Sequence, residues 1–356
     1  MGAWEYIVKK FYDFQDHNFC DLKEEYNLDL EKLPEFSDSV KKWILSGVNF
    51  IGMTFAAFFM YGGTWFGYTY ILPDIYPEDK TFFFWLAMFM LAEGTANLVC
   101  FHLAAKKNCV SYWVDKLSYM LNESEQAMLK GERVPRESDS NFEKTASPAP
   151  EAQGSSKSIK FCEKCNCVCP RRSHHCPICD YCVFRKDHHC YFGGGCVGLG
   201  NQRYFIVFLL YTVIGSTIVV YLLGLYLNNH VAPLFPFGFL RFIGPTVGIR
   251  YVLGYDDIFV AICGTLFTFV YSLMIGSIIF FAANIFYVLN GYTMHDYHTG
   301  RVRTAVKSDG ENYTERIELV FGKHWLLNFL FPLYWNPNIV TPAIARNTLL
   351  AGSKDF

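Results

Sequence analysis

Asp187, His188, His189 and Cys190 stand next to one another in the sequence and join side chains that can bind a metal or attack a carbonyl carbon. Cysteine thiolates and neutral imidazoles are usual ligands of zinc, and a thiolate beside an imidazole is a common enzymatic nucleophile. Three consecutive glycines and Cys196 follow shortly afterwards. The chemistry of this stretch therefore depends on which side chains are occupied by metal.

The stretch lies at the end of a region crowded with potential metal ligands. Nine of the thirteen cysteines and four of the ten histidines lie between Cys162 and Cys196. Cys-x-x-Cys spacing lets two thiolates on a tight turn reach one tetrahedral zinc ion, and it occurs at Cys162 to Cys165, Cys176 to Cys179 and Cys179 to Cys182. A set of unliganded thiols would leave so short a module almost without a core. We therefore expect metal ligation in a reducing compartment.

The number of candidate ligands leaves the individual assignments open. Nine cysteines with His174, His175, His188 and His189 give thirteen candidates, whereas two tetrahedral zinc sites use eight. Five of these side chains are therefore left over, and a leftover thiol is available for reaction.

Four apolar stretches surround this region, and each exceeds the roughly 20 residues that cross a bilayer. Buried helices of a large soluble protein are the alternative, but these stretches lack the polar stripe expected there. The chain has 52% apolar and only 18% charged residues, which also favours a membrane protein. We predict an all-α multi-pass membrane protein with four transmembrane helices. They are expected at residues 43–73, 81–105, 204–229 and 257–290.

Basic residues beside the ends of these helices predict the orientation, because cytosolic flanks carry more of them. One side has Lys41, Lys42, Lys106, Lys107, Arg203, Arg301 and Arg303, and the other has Lys80 and, in the lumenal loop 230–256, Arg241 and Arg250. Residues 1–42, 106–203 and 291–356 are therefore expected in the cytosol. Within them, 106–160 forms a linker that we expect to be largely disordered from residue 121, because it is rich in Ser, Glu, Pro and Lys.

Two further features limit the function. A net charge of −2 argues against nucleic acid as a partner. Glu93 is the one ionisable residue near the middle of a predicted transmembrane helix, and no second such residue is placed to form a relay with it. A structural hydrogen bond is therefore favoured for Glu93 over a functional role.

The cysteine-rich region resembles the domain of the DHHC-type protein S-acyltransferases, the palmitoyltransferases. The match runs from Cys162 to Phe205 and follows the family spacing throughout. The sequence reads Cys162-x2-Cys165, then Pro170-x-Arg172-x2-His175-Cys176-x2-Cys179-x2-Cys182, then Asp187-His188-His189-Cys190-x5-Cys196-x-Gly198-x2-Asn201-x3-Phe205. The order of the four apolar stretches, with a zinc-stapled domain of short β-hairpins and loops at 161–203 between the second and third, is also similar to the family.

The resemblance implies two structural zinc ions and a free nucleophile. One ion would be held by Cys162, Cys165, His175 and Cys182, and the other by Cys176, Cys179, His189 and Cys196. Cys190 would remain free beside His188 and Asp187.

The implied roles agree with the chemistry of a thiol. A free thiol has a pKa of about 8.5 and needs a base to become an efficient nucleophile. His188 can take the proton, and Asp187 can fix the imidazole tautomer, as in a Cys-His-Asp triad. Since sequence neighbours rarely align this way on a regular strand or helix, we expect the zinc ligands to fix an irregular loop here.

The implied reaction is acyl exchange through an S-acyl-Cys190 intermediate. The donor would be palmitoyl-coenzyme A or another long-chain acyl-coenzyme A, and the acceptors would be proteins with cytosolic juxtamembrane cysteines. Membrane lipid would surround the chain, in the Golgi or the endoplasmic reticulum membrane. Arg185, Lys186 and Arg203 could meet coenzyme A phosphates, remain solvated or face lipid.

The sequence departs from the family pattern at several positions. Phe192 and Gly195 replace the usual Trp and Asn, and the glycine run either supplies N–H donors to an oxyanion or leaves the loop poorly organised. Met294 replaces the second Thr of a Thr-Thr-x-Glu motif, which removes a hydroxyl that would support the active-site loop. Cys167 and Cys169 are surplus thiols, interpreted as spare ligands, acylation sites or bystanders.

Two other functions compete with the transferase. A catalytically weak zinc-bearing membrane scaffold or regulatory subunit would tolerate loss of Cys190, and the glycine run and Met294 are its support. A transporter or channel with a regulatory zinc module would depend on Glu93. It is disfavoured because Glu93 is the only ionisable residue deep in the predicted membrane helices.

Overall fold

The computed structural model of the protein describes residues 38–129, 160–170, 172–298 and 308–350. Most of the expected N-terminal segment and of the expected disordered linker lies outside the described residues. Helices α1 to α10 are Asp38–Ala57, Lys80–Leu103, Val110–Leu117, Glu123–Leu129, Gln202–His230, Gly244–Val252, Ile258–Asn290, Met294–His298, Tyr313–Phe321 and Pro342–Leu350. Helix α1 continues through Phe58–Gly62, Gly63–Phe66, Gly67–Ile71 and Leu72–Ile75, and short 3₁₀ turns lie at Ala104–Asn108, Ser118–Met120, Gly238–Phe242 and Trp325–Phe329.

Four helical segments are long and apolar enough to cross a membrane. They are Lys42–Ile75, Lys80–Asn108, Gln202–His230 and Ile258–Asn290, called spans 1 to 4. The prediction of four long apolar helices is confirmed. Large apolar side chains remain on their outer surface, since Trp43 is 78% and Phe50 is 70% exposed. A surface of this kind is typical of contact with lipid.

The ends of span 4 follow from local chemistry. Oδ1 of Asp257 accepts a 2.8 Å hydrogen bond from the N–H of Val260 and caps the first turn. Gly291, at φ 73°, ends the helix in the left-handed conformation that glycine adopts readily. Span 3 packs against both span 2 and span 4. Span 4 therefore has a defined first residue and a defined end at Gly291.

The cysteine-rich region consists of three short antiparallel hairpins. Strands β1 to β6 are Lys160–Cys162, Cys167–Cys169, His174–Cys176, Tyr181–Val183, His188–Cys190 and Gly195–Val197. They pair as β1 with β2, β3 with β4 and β5 with β6. Four residues separate the two strands of each hairpin. The prediction of short hairpins is confirmed.

A shared core joins the third hairpin to the ends of the spans. Phe101 of span 2, Tyr204 and Phe205 of span 3, and Val320 and Phe321 of α9 are all buried in one cluster that also contains Cys190. The segment after α9 is different, because Phe331 and Trp335 are largely exposed. The C-terminal region thus contributes both to the core and to an apolar surface.

Residues 121–129 differ from the disorder expected from residue 121. Asn122 and Glu125 form a reciprocal cap, in which Oδ1 of Asn122 accepts from the N–H of Glu125 at 2.8 Å and Oε2 of Glu125 accepts from the N–H of Asn122 at 3.0 Å. Leu121 and Leu129 are buried in one core with residues of α10. Arg346 of α10 donates a 2.5 Å hydrogen bond to Glu125. Capping and long-range packing therefore order this segment despite its polar composition.

Glu93 lies buried within span 2. The Nδ2 of Asn97 donates to the backbone carbonyl of Glu93 at 2.9 Å. The carboxylate atom Oε2 of Glu93 has no hydrogen-bond partner in the described part of the chain. The structural hydrogen bond expected for this side chain is therefore not seen at Oε2.

Candidate active site and zinc groups

The first Cys/His group connects the turn of one hairpin to the strands of the next. Cys162 ends β1 and Cys165 lies in the turn that follows, while His175 and Cys182 are cross-strand partners in β3 and β4. One ligand atom from each of these four residues lies within 4.8 Å of all the others. The hairpins thus bring together one of the two implied ligand sets.

The second group repeats this construction one hairpin later. Cys176 ends β3 and Cys179 lies in its turn, while His189 and Cys196 are cross-strand partners in β5 and β6. Their ligand atoms also lie within 4.8 Å of one another. The Nε2 of His189 lies 3.2 Å from Oδ1 of Asn49 in span 1, a contact that orients the ring with Nδ1 toward the thiols.

The distances within both groups fit a tetrahedral zinc ion. Bonds of about 2.3 Å to sulfur and about 2.0 Å to nitrogen at a tetrahedral angle place the two ligand atoms roughly 3.5 Å apart. The Nδ1 of His189 lies 3.6, 3.4 and 3.5 Å from Sγ of Cys176, Cys179 and Cys196. The Nδ1 of His175 lies 3.8 and 3.2 Å from Sγ of Cys162 and Cys165. Two Cys/His groups with the donor set and spacing of structural zinc sites are therefore present.

Strand alternation separates metal ligation from reaction at His188–Cys190. We expected an irregular loop, but these residues form the regular strand β5. Successive side chains of a strand point to opposite faces. His189 therefore faces the second zinc group, while His188 and Cys190 share the other face. The expectation was wrong because it considered adjacent residues. On a strand the side chains that share a face are two positions apart, as His188 and Cys190 are.

Asp187 and His188 form a buried hydrogen-bonded pair. Oδ2 of Asp187 accepts from Nδ1 of His188 at 2.8 Å. The other ring nitrogen, Nε2, is buried and has no hydrogen bond of normal geometry to any described residue. The tautomer with a proton on Nδ1 leaves Nε2 as an acceptor. The arrangement therefore provides a base whose free nitrogen is sheltered from water.

The surroundings of His188 set its basicity. Its ring lies 5.0 Å from that of Phe205 and 5.4 Å from that of Phe280, measured between centroids. Burial alone would lower the pKa of His188, but the Asp187 hydrogen bond and the nearby Cys190 thiol outweigh burial and raise the pKa to about 9. Asp187 thus stabilises the charged imidazolium that forms when a proton is taken up.

The glycine run is an ordered turn that contacts the thiol. The backbone N–H of Gly193 donates to Sγ of Cys190 at 3.2 Å. Gly194 has φ 71°, and a Cβ at this position would lie 2.2 Å from the sulfur of Met53 in span 1. One N–H of the glycine run is therefore directed at the thiol, and the supply of N–H donors to an oxyanion stays a prediction.

A backbone group supports the site from beyond span 4. The N–H of Met294 donates to Oδ1 of Asp187 at 2.8 Å. Replacement of Thr by Met does not affect this bond, because the donor is the main chain. The Thr293 hydroxyl instead donates to Oδ2 of Asp296 at 2.8 Å.

A buried ion network continues from Asp296 and was not foreseen from the sequence. Arg172 donates to Asp296 at 2.9 and 2.5 Å and to Asp309 at 2.6 Å, and Arg185 donates to Asp309 at 2.8 Å. All four side chains are at most 1% exposed. Burial alone would raise the pKa of Asp296, but Arg172 lowers it below the usual value. The network ties the hairpins to the chain that follows span 4.

Two of the cations considered for coenzyme A are used internally. Arg185 belongs to the buried network and also donates to Gln202 at 2.8 Å. Arg203 is buried and donates to the backbone carbonyl of Asn336 and to the hydroxyl of Tyr204. Both guanidinium groups are buried and have internal partners, as a buried arginine requires.

An apolar cavity of about 640 Å³ opens beside Cys190 and extends among the four spans. Phe192 and Phe205 line it near the thiol, and Gly215 of span 3 and Gly276 of span 4 lie farther along. The volume is within the range of ligand-binding pockets. Cys190, the candidate nucleophile, thus lies in the wall of an apolar cavity.

Comparison with known proteins agrees with this geometry. Residues 155–301 match the sequence model of the family described as DHHC palmitoyltransferase. The chain is 31% identical over 146 residues to human palmitoyltransferase ZDHHC20, which covers 37% of this chain and 40% of that protein. It is 42% identical over 73 residues to the probable protein S-acyltransferase 14 of Arabidopsis thaliana, covering 20% and 24% of the two chains. The mouse palmitoyltransferase ZDHHC2 is 29% identical over 139 residues, covering 36% and 38%.

The curated matches thus span about two fifths of the length of these relatives at most. The hairpins and both Cys/His groups lie within the residues that the family model matches. Residues 155–301 of this chain thus match a DHHC palmitoyltransferase domain, which these relatives share.

Proposed function

We propose that the protein is a protein-cysteine S-acyltransferase that moves a long-chain acyl group from acyl-coenzyme A to cysteine thiols of other proteins. The observation that carries the proposal is the position of Cys190. Its thiol shares a strand face with His188, which is hydrogen-bonded to Asp187, and borders the apolar cavity. A nucleophile, its base and a compartment for the acyl chain therefore meet at one point.

The first half-reaction would acylate Cys190. The thiol proton passes to Nε2 of His188, and the thiolate attacks the carbonyl carbon of the thioester. The bond to the coenzyme A sulfur then breaks, and the departing thiolate takes the proton back from His188. The N–H of Gly193 lies next to Sγ of Cys190 and is placed to stabilise negative charge at the reacting atoms.

The second half-reaction would transfer the chain onward. A substrate cysteine gives its proton to His188 and attacks the same carbonyl carbon. Cys190 leaves as a thiolate and recovers the proton from the imidazolium. In both steps Asp187 stabilises the charged imidazolium without changing its own protonation state.

The two zinc ions would be structural. We assign Cys162, Cys165, His175 and Cys182 to one ion and Cys176, Cys179, His189 and Cys196 to the other. Each set contains four protein donors and therefore leaves no open position for substrate. Zinc supplies folding free energy to hairpins that have almost no core of their own, and so it positions β5 for reaction.

The cavity would hold the acyl chain. Each buried methylene contributes about 0.8 kcal/mol to binding, so a long chain gains many times the thermal energy by leaving water. If the acyl chain extends among the spans, its thioester remains beside Cys190 in the cysteine-rich module. The acceptor cysteines are accordingly expected close to the membrane surface, on the side that carries the module.

The module and both termini are assigned to the cytosolic side of an endomembrane, the Golgi or the endoplasmic reticulum. The excess of basic residues beside the module supports this orientation. Arg241 and Arg250, on the opposite side, lie 2.6 and 2.7 Å from the carboxylate of Asp256. They are outnumbered by the basic residues named on the side of the module, so the assignment stands.

A catalytically weak scaffold is not favoured. Its support came from the glycine run and Met294, yet Gly193 donates to Cys190 and Met294 donates to Asp187. A decisive assay follows coenzyme A release by the purified protein, with and without a cysteine-containing membrane protein as acceptor. The transferase gives release that rises with acceptor concentration together with acyl label on the acceptor. A scaffold gives no release above the rate of spontaneous thioester hydrolysis.

A further inference from the structure

Cys167 and Cys169 belong neither to the two zinc groups nor to the reacting pair. Both lie in β2, directly beside the first zinc group, since Cys167 pairs in register with Cys162. Cys169 is buried and Cys167 is half-buried. Two thiols held this close to a zinc group, without a role in it, require a physical account.

The sulfur atoms lie at the spacing of metal ligands. Sγ of Cys169 is 3.1 Å from Sγ of Cys182 and 4.0 Å from Sγ of Cys167. All three lie within 4.8 Å of one another. Tetrahedral zinc with bonds of about 2.3 Å separates two sulfurs by roughly 3.8 Å. With small adjustments of the side chains, all three thiolates can therefore coordinate the same zinc ion.

We propose that Cys167, Cys169 and Cys182 bind a third zinc ion, with Cys182 as a thiolate bridge to the first zinc group. Six donors are gathered in this corner of the module, and one tetrahedral ion uses four of them. Two ions that share Cys182 use all six. The bridged ion has three protein ligands and one open position for water or a small ligand, so it exchanges faster than the closed sites.

The charge balance favours the added ion. One zinc ion with three thiolates and an imidazole carries a net charge of −1. Adding a second divalent ion and two more thiolates leaves the net charge at −1. Soft thiolate donors also select zinc over hard cations such as magnesium or calcium. The third ion therefore neutralises two buried or half-buried thiolates without accumulating positive charge in the module.

Metal analysis of the full chain tests the proposal without acyl-coenzyme A, so its outcome is independent of the proposed acyl transfer. The tag-free protein is purified in detergent with a thiol reductant, equilibrated at a buffered concentration of free zinc, and desalted. We expect three zinc ions per chain in the wild type and two in the double variant Cys167→Ser/Cys169→Ser. The matched control, Cys100→Ser/Cys109→Ser, changes two half-buried cysteines outside the module and should retain three.

Two results would overturn the proposal. One is a wild type that binds only two zinc ions. This result would also overturn the proposal if thiol titration shows that Cys169 and Cys182 are joined in a disulfide. The other is a third ion that persists in the double variant, which would place it elsewhere. If the double variant loses all of its zinc, the single variant Cys167→Ser decides. This variant removes only the half-buried ligand. It must bind one zinc ion fewer than the wild type, and the missing ion must be the one that a colorimetric chelator extracts fastest from the wild type.

Discussion

The backbone N–H of Met294 donates a 2.8 Å hydrogen bond to Oδ1 of Asp187. The donor lies just beyond span 4, and the acceptor orients His188 in the third hairpin. A contact between residues 107 positions apart in sequence therefore connects the end of a membrane helix to the base of the proposed reaction.

Met294→Pro should slow acylation of Cys190 by about tenfold to a hundredfold, because a hydrogen bond to a charged group contributes about 1.5–3 kcal/mol. Met294 is the first residue of α8, a position that tolerates proline since its N–H has no partner within the helix. The control Met294→Ala keeps the N–H. Single-turnover labelling should separate the two variants, and equal rates would show that the bond does not matter for acylation.

Asp187→Asn should reduce the acylation rate by about a hundredfold or more, since general base catalysis contributes that much and the amide favours the wrong imidazole tautomer. Zinc content should be unchanged, because Asp187 belongs to neither ligand group. Asp180→Asn is the matched control, as Asp180 lies in the same module but its side chain is 62% exposed. Loss of zinc from Asp187→Asn would instead assign this residue a structural role.

Arg172→Met should lower the free energy of unfolding by about 3–5 kcal/mol, because it leaves the carboxylates of Asp296 and Asp309 buried and partly unpaired. The measurement is a thermal unfolding curve in detergent at fixed zinc concentration. Lys42→Met breaks the exposed pair with Asp180 and should change stability by less than about 1 kcal/mol. If both variants unfold at similar temperatures, the buried ion network does not contribute to stability.

Gly215→Leu should shift the preferred acyl chain from palmitoyl toward myristoyl or dodecanoyl. Gly215 lines the cavity, about 20 Å along span 3 from its first residue at a rise of about 1.5 Å per residue. A Cβ there meets its nearest neighbour, Met90, only at 4.0 Å, so the helix accommodates the change. Two methylenes excluded from the cavity would weaken palmitoyl binding roughly tenfold.

The control for chain length is Gly47→Leu, at an exposed position of α1 with nothing within 4 Å of a new Cβ. Labelling rates are compared across dodecanoyl-, myristoyl-, palmitoyl- and stearoyl-coenzyme A. The same order of preference in both variants would mean that this cavity does not hold the chain.

The sequence predicted what depends on local spacing. The four apolar helices follow from long uncharged stretches, and the short hairpins follow from cysteines set close together on tight turns. The spacing alone could not assign the ligands, since thirteen side chains competed for eight places. The hairpin registers, which pair His175 with Cys182 and His189 with Cys196, supply the missing geometry.

Long-range contacts between charged residues could not be predicted in the same way. Arg172 and Arg185 are expected at the surface by residue type, and their partners lie more than 120 positions away in sequence. The capping pair of Asn122 and Glu125 was available as a local signal, but the polar composition around it indicated disorder. Burial of Leu121 and Leu129 against α10 decided the outcome.

Labelling with a palmitoyl-coenzyme A analogue shows directly whether Cys190 carries the acyl group. The purified protein and its Cys190→Ser variant are compared at equal zinc content, and neutral hydroxylamine is used to release thioester-bound chains. We expect a hydroxylamine-labile label on the wild type and none on Cys190→Ser. A labile label of equal intensity on both proteins, or no label on a wild type that carries its zinc, would contradict the assignment of Cys190 as the acyl-carrying nucleophile.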